Sequence, residues 1–193
     1  MSQLEGLVPG TWQIDPTHTD IGFTVRHLIS KVRGTFEEFE GEIVIAENPL
    51  ESEASATVQL STINTGTAQR DDHLRSSDFF EVDQHPVMRF SSTGVRANGD
   101  GYTLTGDLTV KNVTREIELE VDFLGVGPDP WGGTRAGFEA TGKISRKEFG
   151  VDFNIPLEGD KFVIGDQVTI QLQVEAVLQV EAAVQKETES ANA

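Results

Sequence analysis

With 193 residues, no cysteine and a formal net charge of −17, the chain can bury one sizeable core but cannot form disulfides or use thiolate chemistry. The charge speaks against nucleic acid, which requires a basic surface, and against electrostatic docking of the chain on anionic lipid headgroups. Hydrophobic residues at 37% and eleven phenylalanines place the chain among folded proteins.

The start, MSQLEGLVPGTWQID, shows neither a positive n-region nor an apolar h-region, and no apolar run in the chain approaches a membrane span. A soluble, cytoplasmic protein is therefore expected, periplasmic or secreted only if a leader has been removed. Residues 1–9 read as an N-terminal extension and 10–180 as one domain. Residues 181–193, small and polar, read as a flexible tail.

From residue 10 the chain alternates. Trp12 and Ile14 share a face, and Pro16 marks a turn. Ile21, Phe23, Val25 and His27 then fall at period two, the signature of a half-buried strand. Phe39, Gly41, Ile43 and Ile45 follow on one face, with Phe36 out of phase, which predicts a bulge near Glu37 and Glu38. Ala54, Ala56, Val58 and Leu60 form the next face before a glycine break. Residues 68–92, AQRDDHLRSSDFFEVDQHPVMRFSS, interrupt the pattern. Thr67 is a candidate N-cap, Asp71 and Asp72 favour the first turn of a short helix through Leu74, and a second turn carries Phe79 and Phe80. Pro86 forbids continuation, and Phe90 lies on the strand that follows.

After an Asn-Gly-type turn, Leu104, Leu108 and Val110 are in phase. At KNVT the phase flips to Ile117, Leu119, Val121 and Phe123, as a hairpin turn requires. GVGPDPWGGT is a loop, Phe138 to Ile144 a strand, residues 145–166 a looped excursion, and QVTIQLQVEAVL a final long strand. About eight hairpin-linked strands must close or fold over to hide their edges. An extended antiparallel eight-stranded lipocalin-like β-barrel with one short helical insert is the expected fold, with a β-sandwich as the competing arrangement.

The four histidines, His18, His27, His73 and His85, lie in no metal-binding spacing, so no metal and no cofactor is expected. Asp71 or Asp72 beside His73 could suggest hydrolytic chemistry, but no serine sits in a nucleophile-elbow context, and a charged helix is usually a solvated face. The glycines of GVGPDPWGG precede no helix and are turn formers. What remains is the interior: Phe23, Val25, Phe39, Ile43, Ile45, Val58, Leu60, Phe90, Leu104, Leu108, Ile117, Leu119, Val121 and Phe138, apolar throughout, joined by His27. Periodicity does not separate a packed core from a pocket lining. A cavity with these walls would favour a long apolar ligand.

The segments GTWQIDPTHTDIGFTVRHLISKVRGTFEEFEGEI, RDDHLRSSDFFEVDQHPVMRFSS, LTGDLTVKNVTREIEL and SRKEFGVDFN together resemble the YceI family of lipocalin-like polyisoprenoid-binding proteins, from about Gly10 to about Leu178. The resemblance implies a barrel whose pore takes a polyprenyl phosphate, a quinone tail or a fatty amide, without catalysis, stable membrane insertion or nucleic acid, and it implies a homodimer. It further implies that His27 and Arg33 contact a ligand head. Asp71, His73, Leu74, Asp78, Phe79 and Phe80 would cover or line the barrel, and Arg146 and Phe149 would form a later R-x-x-F-G element. The readings left open beside a lipid carrier are an enzyme acting on a lipid head and a ligand-free stress-related interaction module.

Overall fold

The alternation resolves into eleven strands and one short helix in a computed structural model that describes residues 4–159 and 161–179. In chain order they are β1 (Gly10–Ile14), β2 (Asp20–His27), β3 (Ser30–Phe36), β4 (Phe39–Ile45), β5 (Glu53–Gln59), β6 (Ile63–Asn64), α1 (Ala68–Arg75), β7 (Val87–Asn98), β8 (Gly101–Val110), β9 (Val113–Pro128), β10 (Thr134–Ser145) and β11 (Ile164–Leu178). All pairings are antiparallel, and β1, β4, β5, β7, β8, β9, β10 and β11 close into an eight-stranded ring through the β1–β11 pairing. The expected barrel, not the sandwich, is the architecture. The expected flexible tail, residues 181–193, lies outside the described residues, whereas Leu7 of the N-terminal extension packs on the barrel.

The first six strands are three wall strands, each broken once. β1 and β2 follow each other along one edge of β11, pairing with residues 176–178 and with residues up to Gln173. β4 pairs with β1 and β3 with β2, and β5 pairs with β4 and β6 with β3. The expected bulge at Glu37 and Glu38 is thus a complete break. It lets Phe36 and Phe39, on opposite parities, both turn inward and become buried. Thr62 holds it: its Oγ1 accepts from the backbone N–H of Glu37 and of Glu38, both at 3.1 Å, and donates to the Gln59 carbonyl at 2.7 Å. Below the break β3 and β6 splay away from β7, and α1 with the chain after it fills the gap.

The two halves pack differently. At the end where β1 closes the ring, Trp12, Ile45, Ala136 and Ala176 are buried together, with Ile43, Phe123, Phe138 and Leu178 against them. The Trp12 indole N–H donates to the Val8 carbonyl at 3.1 Å, so the ring satisfies its one polar atom while plugging the barrel. Two-residue turns suit the hairpins: Lys111 and Asn112 both have positive φ, which matches the twist of β8 and β9.

A polar network ties this plugged end together. Arg135 Nη1 donates to Asp15 Oδ2 and to Glu175 Oε1, both at 2.6 Å, and its Nε donates to Asp129 Oδ2 at 3.2 Å. Asp15, His18 and Glu175 bring ligand-type atoms within 4.8 Å of one another, but the guanidinium already stands against both carboxylates. Hydrogen bonds first from Arg135 and then from His18 hold the Asp15 carboxyl well below the usual carboxylate range. A carboxyl depressed in the folded state stabilises fully above its unfolded value near about 4, and that contribution is lost as pH falls towards the folded value. Arg135→Met should therefore lower stability at neutral pH and flatten its decline below about pH 5, a difference that urea unfolding across pH 2–7 would measure; parallel profiles would refute it.

Candidate ligand-binding cavity

Below the break the barrel is not filled. A cavity of about 370 Å³ lies between β2, β3, β5, β7–β11, α1 and the excursion after β10, within the range of small-molecule sites, which runs from about 300 to 1,000 Å³. Its walls are aliphatic and aromatic. The ionisable groups along it are His27, Arg70, His73, Arg89 and Arg146, and no carboxylate is among its lining residues. Arg89 is exposed and shares its parity with outward positions; its neighbours Met88 and Phe90 face in.

Of the residues read from alternation, Phe23, Val25, His27, Val58, Phe90, Leu108, Ile117 and Leu119 line this space. Phe23 lies over its cross-strand partner Gly34, where a Cβ would fall 2.5 Å from the ring. Its ring also stands 5.7 Å from Phe36, extending an aromatic wall to Phe80 at 6.1 Å. Phe39, Ile43, Ile45, Leu60, Leu104, Val121 and Phe138 point inward too but do not line the cavity: Ile45 and Phe138 pack in the plugged half, Ile43 between it and the break, Phe39 and Leu60 at the break, and Leu104 and Val121 against the cluster that walls the cavity. Arg33 lies outside: Val32, Gly34 and Phe36 occupy the inward parity of β3, and Arg33 is exposed on the outer face.

The insert and the excursion close the end. Leu74, Phe79, Phe80, Arg146 and Phe149 all line the cavity. The charged turn is not uniformly wet, as its composition suggested. Asp72 is exposed, but Asp71 is buried and accepts from the Thr65 N–H at 2.9 Å and the Thr65 hydroxyl at 2.5 Å. Thr67 does not cap with its side chain; the loop is held instead by Arg70, which donates to Thr65 Oγ1 and the Thr65 carbonyl at 2.7 and 2.8 Å. Arg75 pins α1 to the wall through the carbonyls of Ser61 and Ile63. Asp71 and His73 therefore form no dyad. His73 Nε2 stands 2.7 Å from Asp78 Oδ2, and its ring packs edge-on against Phe79 and Phe153, each at 5.1 Å.

Arg146 is the polar keystone of the excursion. Its guanidinium is buried and donates to the carbonyls of Val151 at 2.7 Å, Gly165 at 2.9 Å and Phe153 at 3.0 Å. Burial lowers its pKa, while the charges of Asp166 and Asp152 act the other way. Its Nη2 also reaches the Ile164 carbonyl at 3.5 Å, so a planar fork with five donors serves four diverging carbonyls where the three donors of a lysine could not. Sequence reading passed over Phe153, Ile155 and Ile164 because the excursion lacks regular alternation. It also passed over Val168, Ile170 and Leu172, which alternate plainly within QVTIQLQV and do line the cavity.

This geometry matches known proteins. The YceI-like domain family matches residues 12–176. The chain belongs to that family. It is 45% identical over 134 residues to the UPF0312 protein plu2095 of Photorhabdus laumondii, covering 68% of this chain and 70% of the relative. The crystal structure of the Campylobacter jejuni YCEI protein superposes with a TM-score of 0.67 at 30% identity, over 86% of this chain and 96% of that one. A polyisoprenoid binding domain from Saccharophagus degradans shares the fold with a TM-score of 0.67 at 14% identity, over 89% and 100% of the chains.

Replacing Arg146 by Lys should leave at least one of its four carbonyls unpaired and cost about 3 kcal/mol of unfolding free energy. Denaturant titration would read the loss; a change under about 1 kcal/mol would show that the excursion is held by packing alone.

Proposed function

We propose that this chain is a non-enzymatic carrier or buffer for a long-chain polyisoprenoid, a polyprenyl phosphate or quinone, or a similar long-chain amphiphile. The observation that carries the reading is the apolar cavity below the break, walled by aromatic and branched side chains and capped by α1 and the excursion. Each CH₂ moved from water into such a space contributes about 0.8 kcal/mol, so a long tail needs little headgroup recognition. The ionisable groups around the cavity, His27, His73 and Arg146 among them, are basic. A neutral or anionic head is compatible with them, and a cationic one would be repelled. The binding of polyisoprenoid by the Saccharophagus degradans domain, which has the same fold, points the same way. The Asp71–His73 pairing that would favour an enzyme is not assembled: the Asp71 carboxylate is committed to Thr65, and His73 pairs with Asp78 and packs against aromatic rings.

Solvent extraction of the purified protein followed by mass spectrometry should recover a long-chain lipid. Ile170→Trp, which fills the cavity without adding charge, should abolish that recovery while the thermal midpoint holds or rises. Asp72→Asn, on the exposed face of α1, should change neither. A wild-type extract free of lipid, or an Ile170→Trp protein that keeps it, would sink the reading.

A further inference from the structure

The chain makes an unfavourable choice at the tip of its β2–β3 hairpin. The two-residue loop is Leu28-Ile29, where Asn or Gly would suit the turn. Leu28 has φ 54°, a conformation that a bulky side chain rarely adopts, and both side chains face water, Ile29 fully. Within the hairpin, Arg26 Nη1 donates to the Leu28 carbonyl at 2.8 Å, which holds the turn but covers neither apolar side chain. The tip is not isolated: the Leu28 N–H donates to the Val163 carbonyl at 2.8 Å, and beside it Ile155, Leu157 and Phe162 are each more than two-fifths exposed. Five large apolar side chains therefore stand exposed together on two touching segments. Both segments reach the cavity, for His27, Ile155 and Val163 line it. Ile155 is both exposed and a lining residue, so the apolar patch borders the cavity where it meets solvent.

The charge of the hairpin is opposite to that of the whole chain. Residues 21–36 carry Arg26, Lys31 and Arg33 and no carboxylate, in a protein of net charge −17. In the excursion, Lys147 stands 5.4 Å over the Phe162 ring and Lys161 is adjacent to it, in a segment that also carries Glu148, Asp152, Glu158, Asp160 and Asp166. Exposed apolar side chains on and beside a purely cationic hairpin suit an interface of acyl chains and anionic headgroups. A symmetric contact with a second copy would bring the three hairpin cations against themselves. We propose that the β2–β3 hairpin tip and the apolar residues of the excursion dock the cavity mouth reversibly on an anionic lipid bilayer. An apolar chain could then pass between bilayer and barrel without crossing water. The docking surface stands on exposure, strain and charge; only its purpose rests on the lipid-carrier reading.

Flotation with phosphatidylcholine vesicles, with and without phosphatidylglycerol, tests this. The wild type should float with the anionic vesicles and be released by salt. Leu28→Asn with Ile29→Ser, and separately Lys31→Glu with Arg33→Glu, should each weaken that binding by at least about tenfold. Asparagine tolerates positive φ, so the thermal midpoint of the first variant should not fall, and lipid recovered by extraction should match wild type. Vesicle binding by a wild type that yields no extracted lipid supports the docking surface and counts only against the carrier. Wild type that stays unbound on anionic vesicles, or a tip variant that floats equally well, overturns the proposal. So does a wild-type dimer that becomes monomeric in the tip variant, which would assign this face to contacts between copies.

Discussion

The barrel depends on where its wall bends. Three neighbouring strands break at one level, after Ile14, at Glu37–Glu38 and after Gln59. Side-chain hydroxyls stand in for the interrupted ladder at all three breaks. Thr62 serves the backbone of Glu37, Glu38 and Gln59, and Thr19 Oγ1 both donates to the Glu175 carbonyl and accepts from the Glu175 N–H. An unbroken eight-stranded wall encloses just enough room for side chains. Splaying three strands on one side of the break opens room for something else. Above it the ring stays narrow enough for Trp12 to fill it; below it the same sheet needs a separate cover.

That cover must carry polar backbone into an apolar space, and its design follows from this. A short helix and an irregular excursion bring carbonyls that no ladder serves. Arg146 takes those of Val151, Phe153 and Gly165, and Arg75 takes those of Ser61 and Ile63. Asp71 accepts the orphan N–H of Thr65. The charges in the insert and the excursion are thus partly structural: they hold the cover in shape without a ligand. Phe79, Phe80 and Phe149 can then present rings to the cavity from segments with little regular structure of their own.

Period-two alternation made most of the wall legible, because each strand buries one face. It could not say which inward residues meet empty space. Ile43, Ile45 and Phe138 alternate like Val25, Val58 and Leu119, yet they belong to the plugged half; the difference lies in the strand breaks, which reset parity between Phe36 and Phe39. Arg33 shows the same limit. Its parity within KVRGTF sets it outside, since Val32 and Phe36 share the other face, and resemblance to a family motif carried no such geometric information. Arg146 was legible as part of a motif, but not its role, since the carbonyls it serves are up to 19 residues away in sequence.

Net charge misleads here in an instructive way. A total of −17 describes the average surface, and carboxylates are absent from the lining of the cavity. An ionised carboxylate beside an apolar chain would lose its hydration without repayment, whereas Arg can lay its methylene stem along such a surface and keep its head hydrogen-bonded. The physical pressure that keeps the interior apolar therefore sorts charge by sign as well. Basic groups without carboxylates line the cavity and occupy the β2–β3 hairpin, although the chain as a whole is strongly acidic. The surface around the mouth is consequently the part of this protein least described by its composition.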